Sequence, residues 1–104
     1  MITEVRIKEL IFESLKKLKK SEDILRDLKM NDDTILLGMG GPLDSIAFVT
    51  FSTDLEERIE DELGKEFVIK IHEIHDMNLG KTALIVKDLA HLLAKIIERD
   101  YGNK

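Results

Sequence analysis

The sequence predicts an all-α fold, a small bundle of three main helices with one or two short ones. Three stretches of the chain place apolar residues three and four positions apart, which is the spacing of an amphipathic helix. With 104 residues, 43% of them hydrophobic, the chain suits one core, so we expect residues 1–104 to form a single domain. No cysteine is present, so packing rather than disulfides or thiolate-bound metal must stabilise the fold.

The first predicted helix covers roughly residues 3–19. It ends in a run of lysines, which suit the negative carboxyl end of a helix. A short helix is predicted over residues 21–29 with Ser21 as its cap, and Asn31-Asp32-Asp33 predicts a turn. Residues 34–43 combine apolar side chains with three glycines and the only proline, so an irregular loop is expected there.

The second long helix is expected from Ser45 to about Leu63, with Gly64 as its carboxyl cap. Residues three and four positions apart form one apolar stripe that should face the core, namely Phe48, Phe51, Leu55, Ile59 and Leu63. At roughly 100° per residue, another set lies far from this stripe and should face outward. This set consists of Ile46, Val49, Thr50, Thr53, Glu57 and Glu60. The outward surface would therefore combine apolar residues with carboxylates.

The last part of the chain predicts one more long helix. Residues 65–80 mix strand-like and helix-like patterns, and we expect a loop with a short helix there. Helical spacing is clear from about residue 81 to residue 101, which predicts the final helix. Strand content is therefore expected to be nil or slight.

Nearly all of the net charge of −5 lies in one element. Residues 44–66 hold eight acidic and two basic residues, and the rest of the chain carries a net +1. Nucleic acid is consequently not an expected partner. Charge alone leaves two interpretations open, a solvated helix face and a docking face for basic partners.

Ser45 occupies a distinctive place at the start of the acidic helix. It follows a glycine-rich approach and the residues Leu43-Asp44. If Asp44 is the N-cap, its carboxylate accepts a hydrogen bond from the second or third helical amide and the Ser45 hydroxyl faces solvent. A phosphodiester on that hydroxyl would sit where a helix stabilises negative charge. Taken alone, however, an aspartate and a serine at this position are explained by helix capping.

Several features together carry a family resemblance. A leading amphipathic helix and a long loop precede Leu43-Asp44-Ser45-Ile46, the next helix contains Leu55-Glu56-Glu57, and the last contains Val86-Lys87-Asp88-Leu89. This arrangement, over most of the chain, resembles the acyl carrier protein family and implies an acyl-carrier-like bundle. Ile46 replaces the usual leucine, Thr50 replaces a frequent glutamate, and the stretch after Ser45 is longer than in compact fatty-acid carriers. The opening Gly40-Gly41-Pro42-Leu43-Asp44-Ser45 and the lengthened second helix are similar to a specialised bacterial carrier subgroup.

The resemblance implies a carrier rather than an enzyme. Ser45 would receive 4′-phosphopantetheine from coenzyme A through a separate magnesium-dependent phosphopantetheinyl transferase, and Asp44 would be the motif aspartate. The arm would present acyl or aminoacyl thioesters to acyl-loading and acyl-using enzymes of fatty-acid or secondary-metabolite biosynthesis. Basic patches on these partners would meet Glu56, Glu57 and Glu60 of the acidic helix. Ile46 and Val49 would give the partners apolar contacts.

The residues leave one alternative function open, and they argue against a metal site, a hydrolase and a membrane-spanning protein. An unmodified helical interaction module could bind a basic protein through the same acidic helix. His72 and His75 do not have the His-Glu-x-x-His spacing, so no metal site is predicted. Ser45 lacks the Gly-x-Ser-x-Gly elbow of a hydrolase. No apolar run approaches the roughly 18 residues of a membrane span, and we expect a cytoplasmic monomer without a membrane partner.

Overall fold

The computed structural model describes residues 2–21, 27–38 and 41–102. Within these ranges the chain forms four helices, α1 (Glu4–Ser21), α2 (Ser45–Leu63), α3 (Ile71–Met77) and α4 (Val86–Tyr101). Two short strands, β1 (Ile35–Gly38) and β2 (Ala83–Ile85), form one small sheet. The expectation of a mostly helical fold with three main helices, a short one and slight strand content is confirmed.

The core lies where α1 meets α2 and α4. The predicted stripe of α2 is buried from Phe48 to Ile59, and Leu63 at its end is half-buried. Opposite it lie the buried apolar faces of the two other long helices, which include Ile7, Ile11 and Leu15 of α1 and Leu89, Leu93 and Ile97 of α4. Helical periodicity thus predicts the buried faces, because each long helix has one apolar stripe and that stripe packs against the neighbouring helices.

The sheet corrects two sequence-based expectations. Residues 34–43 were expected to be an irregular loop, but β1 pairs antiparallel with β2, placing Gly38 opposite Ala83. Gly38 adopts a φ of 133°, and a Cβ atom there would lie 2.8 Å from the Thr82 carbonyl oxygen. The last helix consequently begins at Val86 instead of residue 81, because Ala83–Ile85 pair with β1 and cannot continue the helix.

The turn at Asn31-Asp32-Asp33 is confirmed, and it supports the start of α4. The Asp33 amide donates to Asn31 Oδ1 at 2.8 Å, which is an Asx turn. The Thr34 and Asp32 carbonyls then accept hydrogen bonds from the Val86 and Lys87 amides, both at 3.0 Å. These amides open α4 and have no partner within the helix, so the turn satisfies them.

Ser21 does not begin a second helix. It is the last residue of α1, and its hydroxyl donates to the Leu18 carbonyl oxygen at 3.0 Å. The remainder of the predicted short helix falls partly on residues 22–26, which lie outside the described residues, while residues 27–29 are not helical.

Among the helices of the described ranges, none is long and apolar enough to cross a membrane.

Candidate functional site at the start of α2

Ser45 is the first residue of α2, and its side chain is exposed. Asp44 is the N-cap as predicted, since its Oδ1 accepts a hydrogen bond from the Ala47 amide at 2.7 Å. Its backbone is extended, and its carbonyl accepts the first helical bond, from Phe48. The capping carboxylate fixes the first turn of α2, so the serine is presented on an ordered backbone next to helix amides.

Ile46 and Val49 lie beside the serine and face solvent. They are 79% and 62% exposed, as the spacing predicts. Thr50 and Thr53 are also exposed, but their hydroxyls donate to the Ile46 and Val49 carbonyl oxygens, both at 3.0 Å. Because these donors are used inside the helix, the surface formed by the four residues is mainly apolar. We call it the apolar outer face.

The three glutamates that the resemblance assigns to partner docking have different surroundings. Glu57 is exposed. Glu56 and Glu60 are half-buried, and each accepts a backbone hydrogen bond within the molecule. Glu56 Oε2 lies 2.6 Å from the Ile69 amide nitrogen, and Glu60 Oε2 lies 2.9 Å from that of Phe67. The structure therefore places Glu57 with the apolar outer face. Glu56 and Glu60 instead bind the backbone of the segment that follows α2.

Two other acids of the charged segment pair with bases. Asp54 accepts from Arg58 at 2.6 Å and from Lys17 of α1 at 3.1 Å. Burial alone would raise the pKa of Asp54, but the hydrogen bonds, led by that of Arg58, hold its pKa below the ordinary value. Glu62 accepts two bonds from Arg6 of α1, both at 3.0 Å, and the first cause of its lowered pKa is this contact. Asp54 and Glu62 thus serve the contact of α2 with α1.

Residues 65–70 run back along α2 without regular secondary structure before α3 begins, so the expected loop and short helix are confirmed. Phe67 and Ile69 are buried, whereas Val68 between them is exposed. The Tyr101 hydroxyl donates to the Glu66 carbonyl at 2.7 Å, and its ring lies 5.8 Å from that of Phe67. We call residues 65–70 the strap. The sequence shows the strand-like character of residues 67–71 and the two glutamates four residues apart in α2. It does not show that Val68 is exposed between two buried neighbours or that the glutamates contact this segment, because both depend on the turn at Gly64.

A cavity of about 260 Å³ lies between α2, the sheet and α3. Its apolar wall includes Phe48 and Phe51 of α2, Leu84 of β2, and Ile69 and Ile74 from the strap and α3. Polar residues including Ser52, His75, Asn78 and Lys81 also line it. Sequence periodicity could not indicate this space, because it arises where separate elements do not fill the volume between them.

The histidines do not form a metal site with other ligands in the described ranges. His72 and His75 are both exposed on α3, and His91 lies at hydrogen-bonding distance, 3.1 Å, from Glu4. No group of three or more histidine, aspartate or glutamate side chains with metal-binding geometry occurs among the described residues.

Comparison with known proteins identifies no relative of this chain. No family model matches it, and neither a curated protein nor a solved structure does.

Proposed function

We propose that the protein is an acyl carrier of the phosphopantetheine-dependent kind, with Ser45 as the attachment residue. The observation that carries this proposal is the position of Ser45, an exposed serine in the first turn of a helix whose cap is the neighbouring Asp44 carboxylate. The mostly helical bundle and the apolar outer face beside the serine support it.

The surroundings of Ser45 suit a phosphodiester. Loading would form a bond between Ser45 Oγ and the phosphorus of phosphopantetheine and break the pyrophosphate bond of coenzyme A. The nucleotide half, adenosine 3′,5′-bisphosphate, would leave with the bond electrons, and the hydroxyl proton would pass to a base of the transferase or to water. The group would be attached in the first turn of α2, where the helix dipole stabilises negative charge. When attached, the arm would supply a terminal thiol for thioesters, which this cysteine-free chain lacks.

The outer surface of α2 offers exposed apolar and charged contacts at which a transferase or an acyl enzyme could dock. Ile46 and Val49 provide exposed apolar contacts next to the attachment point, and Glu57 provides an exposed negative charge further along the helix. Exposed charges mainly orient and accelerate encounters, so docking on basic patches should be brief and sensitive to salt. The tethered arm then raises the effective concentration of the cargo near whichever enzyme is docked.

Mass spectrometry tests the attachment directly. The full chain is incubated with coenzyme A, Mg²⁺ and a broad-specificity phosphopantetheinyl transferase, and we expect the mass to rise by one phosphopantetheine. Ser45→Ala should abolish the gain while circular dichroism stays helical. Ser21→Ala, which removes an exposed serine at the end of α1, should load like the natural chain. No gain by the natural chain, under conditions that load a control carrier, would refute the proposal.

The second candidate is an interaction module that binds a basic protein without modification. The apolar outer face and Glu57 favour it, since neither feature requires an arm on Ser45. The loading experiment separates the candidates, because only the carrier gains mass. An unmodified chain that binds a basic partner, and does so equally with Ser45→Ala, would favour the module.

A further inference from the structure

A second concave site, a groove of about 410 Å³, lies between α1 and α2. It shares only Phe51 with the cavity described above, so the two are separate sites. Its size falls within the roughly 300–1,000 Å³ of pockets that bind small organic molecules. We call it the side groove. Its lining includes Ser14, Lys17 and Leu18 of α1 and Val49, Thr53 and Asp54 of α2.

The lining contains a buried hydroxyl without a partner. Ser14 is 1% exposed, and among the described residues its Oγ is the only buried side-chain nitrogen or oxygen that makes no hydrogen bond. Burial would raise the pKa of the nearby Asp54, while the contact with Arg58 and then the Ser14 hydroxyl lower it. Both Asp54 oxygens, however, already accept hydrogen bonds from Arg58 and Lys17. An unpaired buried hydroxyl costs stability, and such a cost is expected where a ligand uses the group.

The polar groups of the side groove suit an uncharged chain with amide groups. Two of its three charged side chains, Lys17 and Asp54, pair with each other at 3.1 Å. The hydroxyls of Thr50 and Thr53 donate to the helix backbone, which leaves their oxygens as acceptors for amide N–H groups. The Ser14 hydroxyl keeps its proton to donate to an amide carbonyl. A ligand with both amide donors and amide acceptors therefore matches this lining.

A row of side chains leads from Ser45 to the side groove. Residues four apart are neighbours on a helix surface, so the row that begins at Ser45 continues with Val49, Thr53 and Glu57. All three line the side groove. Thr53 lies about 12 Å from Ser45 along the helix axis. The pantoyl, β-alanine and cysteamine units of a phosphopantetheine arm have the backbone length of about four residues, so the arm spans about 14 Å when extended.

We propose that the side groove is the resting site of the arm on Ser45, and that the Ser14 hydroxyl donates to an amide carbonyl of that arm. The inference rests on the proposed carrier function and adds where the arm lies between encounters with enzymes. Leu18 and Val49 offer apolar contacts for the two methyl groups of the pantoyl unit. The assignment also explains why α1 has a buried hydroxyl at a position where alanine would be more stable.

The test attaches the arm chemically, so its outcome does not depend on a transferase. The chain has no cysteine, and Ser45→Cys therefore introduces a single thiol. Its thiolate displaces bromide from an S-methylated pantetheine that carries a bromoacetyl group at its 4′ end, and the thiol proton passes to the buffer. The control conjugate is the same variant alkylated with iodoacetamide, which adds only a short amide.

Methyl NMR spectra of the two conjugates locate the arm. The pantetheine conjugate should shift the methyl signals of Leu18 and Thr53 relative to the control, and the pantoyl methyl groups should give nuclear Overhauser contacts with Leu18. Ile74 and Leu84 line the other cavity, and their methyl signals should not respond. The tether provides a millimolar effective concentration, so a site of low affinity is occupied.

Ser14→Ala provides a second readout, because it should act in opposite directions on stability and on arm binding. In the unmodified chain it removes an unpaired buried hydroxyl and should raise the urea midpoint. In the pantetheine conjugate it removes the donor to the arm and should reduce the shifts at Leu18 and Thr53 by at least half. Ser52→Ala is the matched control, because Ser52 is a half-buried serine of α2 that lines the other cavity. It should leave these shifts unchanged and raise the midpoint less.

Two results would overturn the inference. Shifts that are absent, or that occur at Ile74 and Leu84 instead of Leu18, would show that the arm does not occupy the side groove. A urea midpoint lowered by Ser14→Ala would show that the hydroxyl has a partner in the folded chain and is not kept for a ligand. A natural chain that does not load would refute the carrier function, whereas the conjugate spectra would still report on the side groove. A chain that loads, but whose conjugate shows no shift at Leu18, would overturn the inference alone.

Discussion

The Asp44 carboxylate determines how α2 begins, and with it the surroundings of Ser45. Asp44→Ala removes the acceptor of the Ala47 amide, and we expect a loss of about 1 kcal/mol in the free energy of unfolding. Asp44→Asn keeps an acceptor oxygen and should lose much less. Urea unfolding followed by circular dichroism measures both. Equal losses in the two variants would mean that the charge, and not the capping bond, stabilises the helix start.

Asp54 should make stability depend on pH. Its pKa in the folded protein lies below the ordinary value of 3.8. A carboxyl group with a lowered folded pKa contributes stability above its unfolded pKa, and this contribution is lost as the pH falls through the folded pKa. The natural chain should therefore be more stable than Asp54→Asn at neutral pH, and the difference should shrink at acid pH below 3.8.

Urea midpoints of both proteins, measured from neutral to acid pH, check this expectation. Glu57→Gln is the matched control, because it removes one carboxylate from an exposed site on the same helix. A difference between the natural chain and Asp54→Asn that stays constant with pH would contradict it. Packing of the side chain, instead of its ionisation, would then explain the loss.

The elements differ in how well the sequence predicts them. The ends of α2 were predictable because its N-cap Asp44, its apolar stripe and its terminal Gly64 are contiguous in the sequence and indicate the same helix. β1 and β2 were not, since four-residue and three-residue strands carry too few alternations to be distinguished from an apolar loop or a helix start. Their pairing joins segments far apart in the chain, such as Ile35 with Ile85, and no local pattern specifies it.

Two glycines should respond differently to alanine. At Gly64, where φ is 70°, an added Cβ atom would meet no other atom within 4 Å, so Gly64→Ala should cost only the left-handed backbone strain of about 1 kcal/mol. At Gly38 the φ of 133° is combined with a contact of 2.8 Å between an added Cβ atom and the Thr82 carbonyl oxygen. Gly38→Ala should therefore cost ~2 kcal/mol or more.

Urea unfolding again ranks the two variants, and Gly64→Asn provides the control, because asparagine tolerates the left-handed region better than alanine. A smaller loss for Gly38→Ala than for Gly64→Ala would mean that the sheet shifts easily to make room. The contact of β1 with β2 would then contribute little to the position of the loop that leads to Ser45.

Across the whole molecule, the acidic segment has several structural uses that charge counting could not distinguish. The sequence correctly located the excess charge and the exposed pair Ile46 and Val49, because both follow from composition and helical geometry. It could not show that Glu56 and Glu60 bind the strap or that Glu62 binds Arg6, since those partners lie elsewhere in the chain. Docking by the acidic helix thus stays a prediction, and a substitution at the exposed Glu57 tests it most directly.

Charge reversal at Glu57 should weaken docking without loosening the fold. Glu57→Lys should slow phosphopantetheine loading several-fold at low salt, because an exposed charge on the helix that carries the proposed attachment site mainly orients the encounter with a basic enzyme. The effect should fade as salt shortens the screening length to less than about 10 Å. Initial loading rates, measured by mass against salt concentration, give this dependence directly.

Glu98→Lys makes the same change in net charge at an exposed position on α4, near the Tyr101 that contacts the strap. It should alter the loading rate much less than Glu57→Lys, although both variants change the total charge by the same amount. Equal slowing by the two variants would attribute the effect to net charge and contradict a localised docking face. Slowing by Glu57→Lys that persists at high salt would instead indicate a close contact at that residue, where screening has little influence.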